Sequence, residues 1–101
     1  NGIYIKPDIS KSIHFYSLAA DQNESRSLVN LGNIYSNGIF ITRDINKAIH
    51  YYTLAANLNI AEAEFNLGTI YFSGQLKEIL INPFIILHLQ QIKISHWHKI
   101  V

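Results

Sequence analysis

The sequence predicts an all-α fold, an α-solenoid of antiparallel helix pairs. Three observations carry that prediction: a 36-residue internal repeat, apolar residues at helical spacing in each copy, and helix-capping residues at the same place in both.

The repeat is found by sliding the chain along itself. Residues 1–36, NGIYIKPDISKSIHFYSLAADQNESRSLVNLGNIYS, align without a gap on residues 37–72, NGIFITRDINKAIHYYTLAANLNIAEAEFNLGTIYF, with 19 identities in 36. Most substitutions are mild, such as Tyr4 to Phe40, Phe15 to Tyr51 and Ser17 to Thr53. A third copy opens at Ser73-Gly74 and the pattern then stops. A single helix pair cannot bury both of its faces, so units of this kind stack.

Each copy carries two helix signals. The first helix is predicted over residues 8–22 and again over 44–58. Asp8 and Asp44 are its N-caps, since a carboxylate accepts the unpaired amide protons of a first turn. Apolar residues follow at Ile9, Ile13, Tyr16 and Ala20, and at Ile45, Ile49, Tyr52 and Ala56, which is helical spacing. The second helix is predicted over 25–36 and 61–72, with a core face of Leu28, Leu31 and Tyr35, matched by Glu64, Leu67 and Tyr71. Gly32 and Gly68 fall inside these helices, where glycine costs roughly 1 kcal/mol against alanine. Close helix–helix approach is the reason to accept that cost, and the pairs Ala19-Ala20 and Ala55-Ala56 offer the flat surface to meet it. Residues 1–7 and 37–43 are loops, each opening on the turn dipeptide Asn-Gly.

Composition narrows the function. With 101 residues, nearly half of them hydrophobic, there is room for one small domain with a core. The net charge of +1, without a block of either sign, argues against a nucleic-acid partner, which leaves a basic patch. The lack of cysteine removes disulfides and thiolate metal sites. Asn1 in first place and the absence of methionine predict a fragment of a longer chain, so localisation stays open.

No catalytic constellation emerges. Glu62 and Glu64 are two apart on a helix and point to different sides. His14 and His50 hold equivalent places before aromatic residues and are read as structural positions facing between helices, not as a ligand ladder. Lys11 and Lys47 are assigned to a solvated face. No Ser-His-Asp spacing, phosphate-cradling glycine loop or carboxylate cluster is present, and neither a cofactor nor a metal is predicted.

Residues 76–101, LKEILINPFIILHLQQIKISHWHKIV, break the repeat. The apolar run 79–89 is interrupted by Asn82 and Pro83 and falls well short of the ~20 residues of a spanning helix, so no membrane is predicted. His96 and His98, with His88, have no carboxylate or cysteine beside them and make a poor metal site. Reading plausible codons one base earlier turns the tail into KRNINKPIHYITLAANQNQPLAQNR, against TRDINKAIHYYTLAANLNIAEAEFN at residues 42–66. The stretches INK, IH and TLAAN coincide at the repeat's spacing, one residue short near Gln75, so the tail is read as an out-of-frame third repeat.

The pieces NLGNIYSNGI, RDINKAIHYYTLAA and AEAEFNLGTIYFSG resemble Sel1-like repeats, relatives of tetratricopeptide repeats. Ala63, Leu67, Gly68, Tyr71 and Gly74 match one half of that family's pattern; Asp44, Lys47, Ala48, Tyr52, Ala55 and Ala56 match the other. The first copy departs at Ser12 and Ser27. The resemblance covers residues 1–75 and implies a superhelical scaffold that binds protein partners, with no catalysis, nucleic acid or small-molecule substrate. An RNA-reading helical repeat and a repeat segment of a larger enzyme are the alternatives. Carried over through the Leu-Gly match, the partner-facing row is Arg26, Val29, Asn33 and Ser36 in one copy and Glu62, Phe65, Thr69 and Phe72 in the next.

Overall fold

The computed structural model describes the backbone of residues 5–100 and the side chains of residues 5–94. Five helices follow one another, with no strand among the described residues: α1 (Ile9–Ala20), α2 (Ser25–Asn37), α3 (Ile45–Ala56), α4 (Ala61–Ile81) and α5 (Pro83–Ile100). The chain divides into two compact units, residues 1–67 and 68–101.

In the first unit the two copies fold alike because the same local chemistry recurs. The Asp8 carboxylate accepts the Lys11 amide at 3.1 Å, and Asp44 accepts that of Lys47 at the same distance. Both helices close the same way as well. Asn23 and Asn59 take left-handed φ values of 61° and 63°, which asparagine tolerates better than most residues. The next amides, of Glu24 and Ile60, then reach back to the carbonyls of Ala19 and Ala55 at 3.2 Å, satisfying groups that a helix end leaves open. At the start of α2, Glu24 accepts the amides of Arg26 at 3.1 Å and Ser27 at 2.6 Å. Gly38 ends α2 at φ +65°, and a Cβ there would stand 2.8 Å from that of Arg43, so the turn needs glycine twice over.

The core of this unit is centred on α2, which packs against both α1 and α3. Leu28, Val29 and Leu31 are fully buried, together with Ala20, Ala48, Tyr52, Ala55 and Ala63. Gly32 is buried under Tyr52, as its place inside a helix predicted: a Cβ at Gly32 would lie 2.5 Å from the Tyr52 ring. Nearby, Tyr35 and Tyr51 stack at 5.9 Å and 11°, and the Lys47 ammonium sits 5.1 Å above the Tyr35 ring. The Asp44 amide donates to the Tyr35 carbonyl at 2.9 Å, fastening the start of α3 to the end of α2.

Several expectations are corrected. Val29 is not on an outward row; its exposure is 0 %, because a helix packed on two sides buries a broader face than a three-residue stripe. The second-copy stripe is not core either: Glu64 is exposed, Leu67 half-buried and Tyr71 62 % exposed. Gly68 meets nothing within 4 Å of a Cβ. His14 and His50 do not face between helices; both are exposed and lie edge-on to the neighbouring Phe15 and Tyr51 at 5.1 Å. The second helix of the second copy runs on through Ser73-Gly74 to Ile81, where the repeat predicts a turn like Asn37-Gly38, because the good helix formers Gln75, Leu76, Lys77 and Glu78 follow.

In the second unit, α5 starts at Pro83, a residue suited to a first helical position, with the Asn82 side chain accepting the Phe84 amide at 2.9 Å. Leu80, Ile81, Phe84, Leu87 and Leu89 are each more than half exposed. No helix among the described residues is long and apolar enough to cross a membrane. The side chains of His96 and His98 lie outside the described residues, and no group of three metal-ligating side chains occurs among the described ones.

Candidate protein-binding surface

On the first unit, one face of α2 together with its following loop forms a hollow of about 200 Å³. Its lining joins Tyr16 of α1, Asn30, Asn33, Ile34 and Asn37 of α2, and Ile39 and Phe40 of the loop. Three asparagines at positions i, i+3 and i+7 share one side of a helix, so their amides converge on the hollow. Ile39 and Phe40 stand 72 % and 64 % exposed at its edge. The hollow therefore combines amide donors and acceptors with an uncovered apolar rim.

Beside it runs a polar chain that crosses from one repeat to the next. The guanidinium of Arg26 meets the Glu62 carboxylate in two bonds, of 3.0 and 3.3 Å, between residues separated by one full period. Arg26 holds the Glu62 carboxyl below its usual range, and a further hydrogen bond from Asn33 adds to the effect. Glu62 in turn raises the Arg26 guanidinium. The Tyr52 hydroxyl donates to the Asn33 carbonyl oxygen. Burial pushes the Tyr52 phenol up, against the lowering effect of hydrogen bonds with Ser36 and Asn66. Asn33 is thus held by Tyr52 on one side and Glu62 on the other, which fixes its amide at the edge of the hollow.

The residues expected to face partners divide accordingly. Arg26, Asn33, Ser36, Glu62 and Phe65 belong to the first unit; Thr69 and Phe72 belong to the second. Arg26, Glu62 and Phe65 are exposed, Phe65 to 74 %, while Asn33 and Ser36 are half-buried. Thr69 and Phe72 are exposed on α4, and Val29 is in the core. Sequence reasoning picks out Asn33 but misses Asn30, Asn37, Ile39 and Phe40. The spacing of three asparagines is their signal, and it is obscured because Asn37 reads as the first residue of a loop.

Helices repeating at 36 residues, with α2 packed on both α1 and α3 and an inter-repeat ion pair, define a helical-repeat protein. The Sel1 repeat family matches residues 1–24, 25–60 and 61–82, and the chain belongs to that family. The second and third matched segments begin one period apart, each at a Leu-Gly helix, so α2 and α3 fall within one of them, while the first holds α1. The third extends past Gly74 as far as Asn82. No curated protein and no solved structure matches the chain. Sel1 repeats generally mediate protein–protein interaction and are typically non-catalytic.

Proposed function

We propose that this chain is a non-catalytic scaffold that binds an extended segment of a protein partner in the hollow on α2. The observation that carries it is the row Asn30, Asn33 and Asn37 beside the exposed Ile39 and Phe40. An extended peptide presents unpaired backbone N–H and C=O groups, and primary amides can serve both kinds. An apolar side chain of the same peptide would bury itself against Phe40 and Ile39, as anchor residues do. Arg26 and Glu62 largely satisfy each other, and they set the hollow's border more than its affinity. The near-zero net charge fits a protein partner better than nucleic acid, and the reading calls for no lipid or small-molecule substrate.

A displayed library of random peptides, selected on the purified chain, tests this. Peptides should be enriched, and the double change Asn30→Ala, Phe40→Ala should abolish their binding while leaving the melting temperature within a few degrees. Enriched peptides that bind the double variant unchanged would place the binding surface elsewhere.

A further inference from the structure

The contact between α2 and α3 is a template whose first half recurs. Tyr52 covers Gly32, Tyr51 stacks on Tyr35, and Lys47 lies over Tyr35. One period later on α4, Gly68 stands for Gly32 and Tyr71 for Tyr35, yet Gly68 is open and Tyr71 is 62 % exposed. The family match runs, in the frame as read, to residue 82, which corresponds to Asn46, the second residue of α3, and covers none of the helix beyond it. Half of the contact is present and the helix that should complete it is not matched.

We propose that the bare face of α4 at Gly68 and Tyr71 is the seat of an α3-like helix, and that this helix is encoded one base out of frame in the segment after Gln75. Two of the three bases in each shifted codon are dictated by the residues of the tail, so the shifted sequence is tightly constrained. Across codons 78–96, with each free base chosen to favour the match, those constraints permit RDINKPIHYITLAANQNIA. Residues 43–61 read RDINKAIHYYTLAANLNIA, the same at 16 of 19 positions. The shifted helix restores most of what α3 brings to α2; proline stands in place of the buried Ala48, whose amide bond to the Asp44 carbonyl it cannot make, and Ile lacks the Tyr52 hydroxyl. Its aspartate caps the first turn as Asp44 does. Its lysine takes the place of Lys47 and its tyrosine that of Tyr51, both opposite Tyr71. Ile, or Phe by another permitted codon, takes the place of Tyr52 over Gly68, and Ala-Ala repeats Ala55-Ala56. A single-base slip between codons 74 and 78 accounts for the exchange. The occupant is independent of the peptide hollow, which is built on α1, α2 and the loop after α2.

The test compares the parent chain with a restored chain, made from a gene with a base inserted after codon 75, each with and without Gly68→Val. Gly68→Val should leave the melt of the parent chain unchanged or slightly raised, because nothing lies within 4 Å of that position and valine is a better helix former than glycine. In the restored chain it should lower the melting temperature by ~5 °C or more through overpacking. A synthetic peptide with the shifted sequence, added to the parent chain, supplies a second readout that does not require the restored chain to fold. It should bind saturably, and Gly68→Val should abolish binding, while a scrambled peptide should not bind. Equal melting shifts in both chains, or peptide binding indifferent to Gly68→Val, would overturn the proposal. So would head-to-tail dimers of the parent chain that Gly68→Val dissociates, since the face would then belong to α1 of a second copy, which offers Lys11, Phe15 and Tyr16 in the same places.

Discussion

The ring of Tyr52 fills the space over Gly32, so close that a Cβ on the glycine would stand 2.5 Å from it. At the equivalent Gly68, one period later, the same space is open. Gly32→Ala should therefore lower stability by about 1–2 kcal/mol, since overpacking outweighs the gain in helix propensity. Gly68→Ala should raise it by about 1 kcal/mol. Urea melts of the two single variants check the opposite signs.

Val29 and Phe65 occupy one repeat position, but Val29 is fully buried and Phe65 is 74 % exposed. Val29→Asp places an unpaired charge in the core and should unfold the first unit. Phe65→Asp should leave the unit folded, since that side chain lies mostly in solvent. Circular dichroism at 25 °C separates the two outcomes directly.

The Asp8 and Asp44 caps make the same bond to the residue three places on, Lys11 or Lys47. Asp44→Ala should cost about 1 kcal/mol, and Asp44→Asn should recover most of that loss. If the alanine variant melted with the parent, the cap would contribute nothing.

Two carboxylates make the first unit sensitive to acid. Glu24 is held below its usual range by hydrogen bonds from the Ser27 hydroxyl and amide, and Glu62 by Arg26. A depressed folded-state value means a contribution that is complete above the unfolded carboxylate range. It is lost as pH falls through that range toward the folded-state values. Stability should accordingly decline below about pH 5. The double change Glu24→Gln, Glu62→Gln should flatten that decline in melts recorded from neutral to acid pH.

How much of the fold and the hollow is legible in the sequence depends on whether a feature is local. The caps at Asp8 and Asp44 and the helix phases depend on neighbours a few residues away, and period and spacing reveal them. Gly32 is legible because a glycine inside a strongly periodic helix has few explanations. Gly68 and Tyr71 have the same local signals, and burial fails to follow, since it depends on which helix arrives at that face. Val29 is misplaced for the converse reason: flanked by two helices, α2 buries residues that a single amphipathic stripe leaves out. The α2 hollow is legible only in part, because Ile39 and Phe40 contribute through the course of a loop that no periodicity describes.

The way α2 is held between α1 and α3 also sets an order of folding. The packing of α2 on either neighbour closes only a short loop, so little chain entropy is lost in bringing the partners together. Fast, local collapse around Leu28 and Leu31 is the expected first event. The slowest amide exchange should then lie in the middle of α2 and fall away along the chain in both directions, toward α1 and through α3. Such a chain can gain or lose terminal repeats without having to reinvent its nucleus.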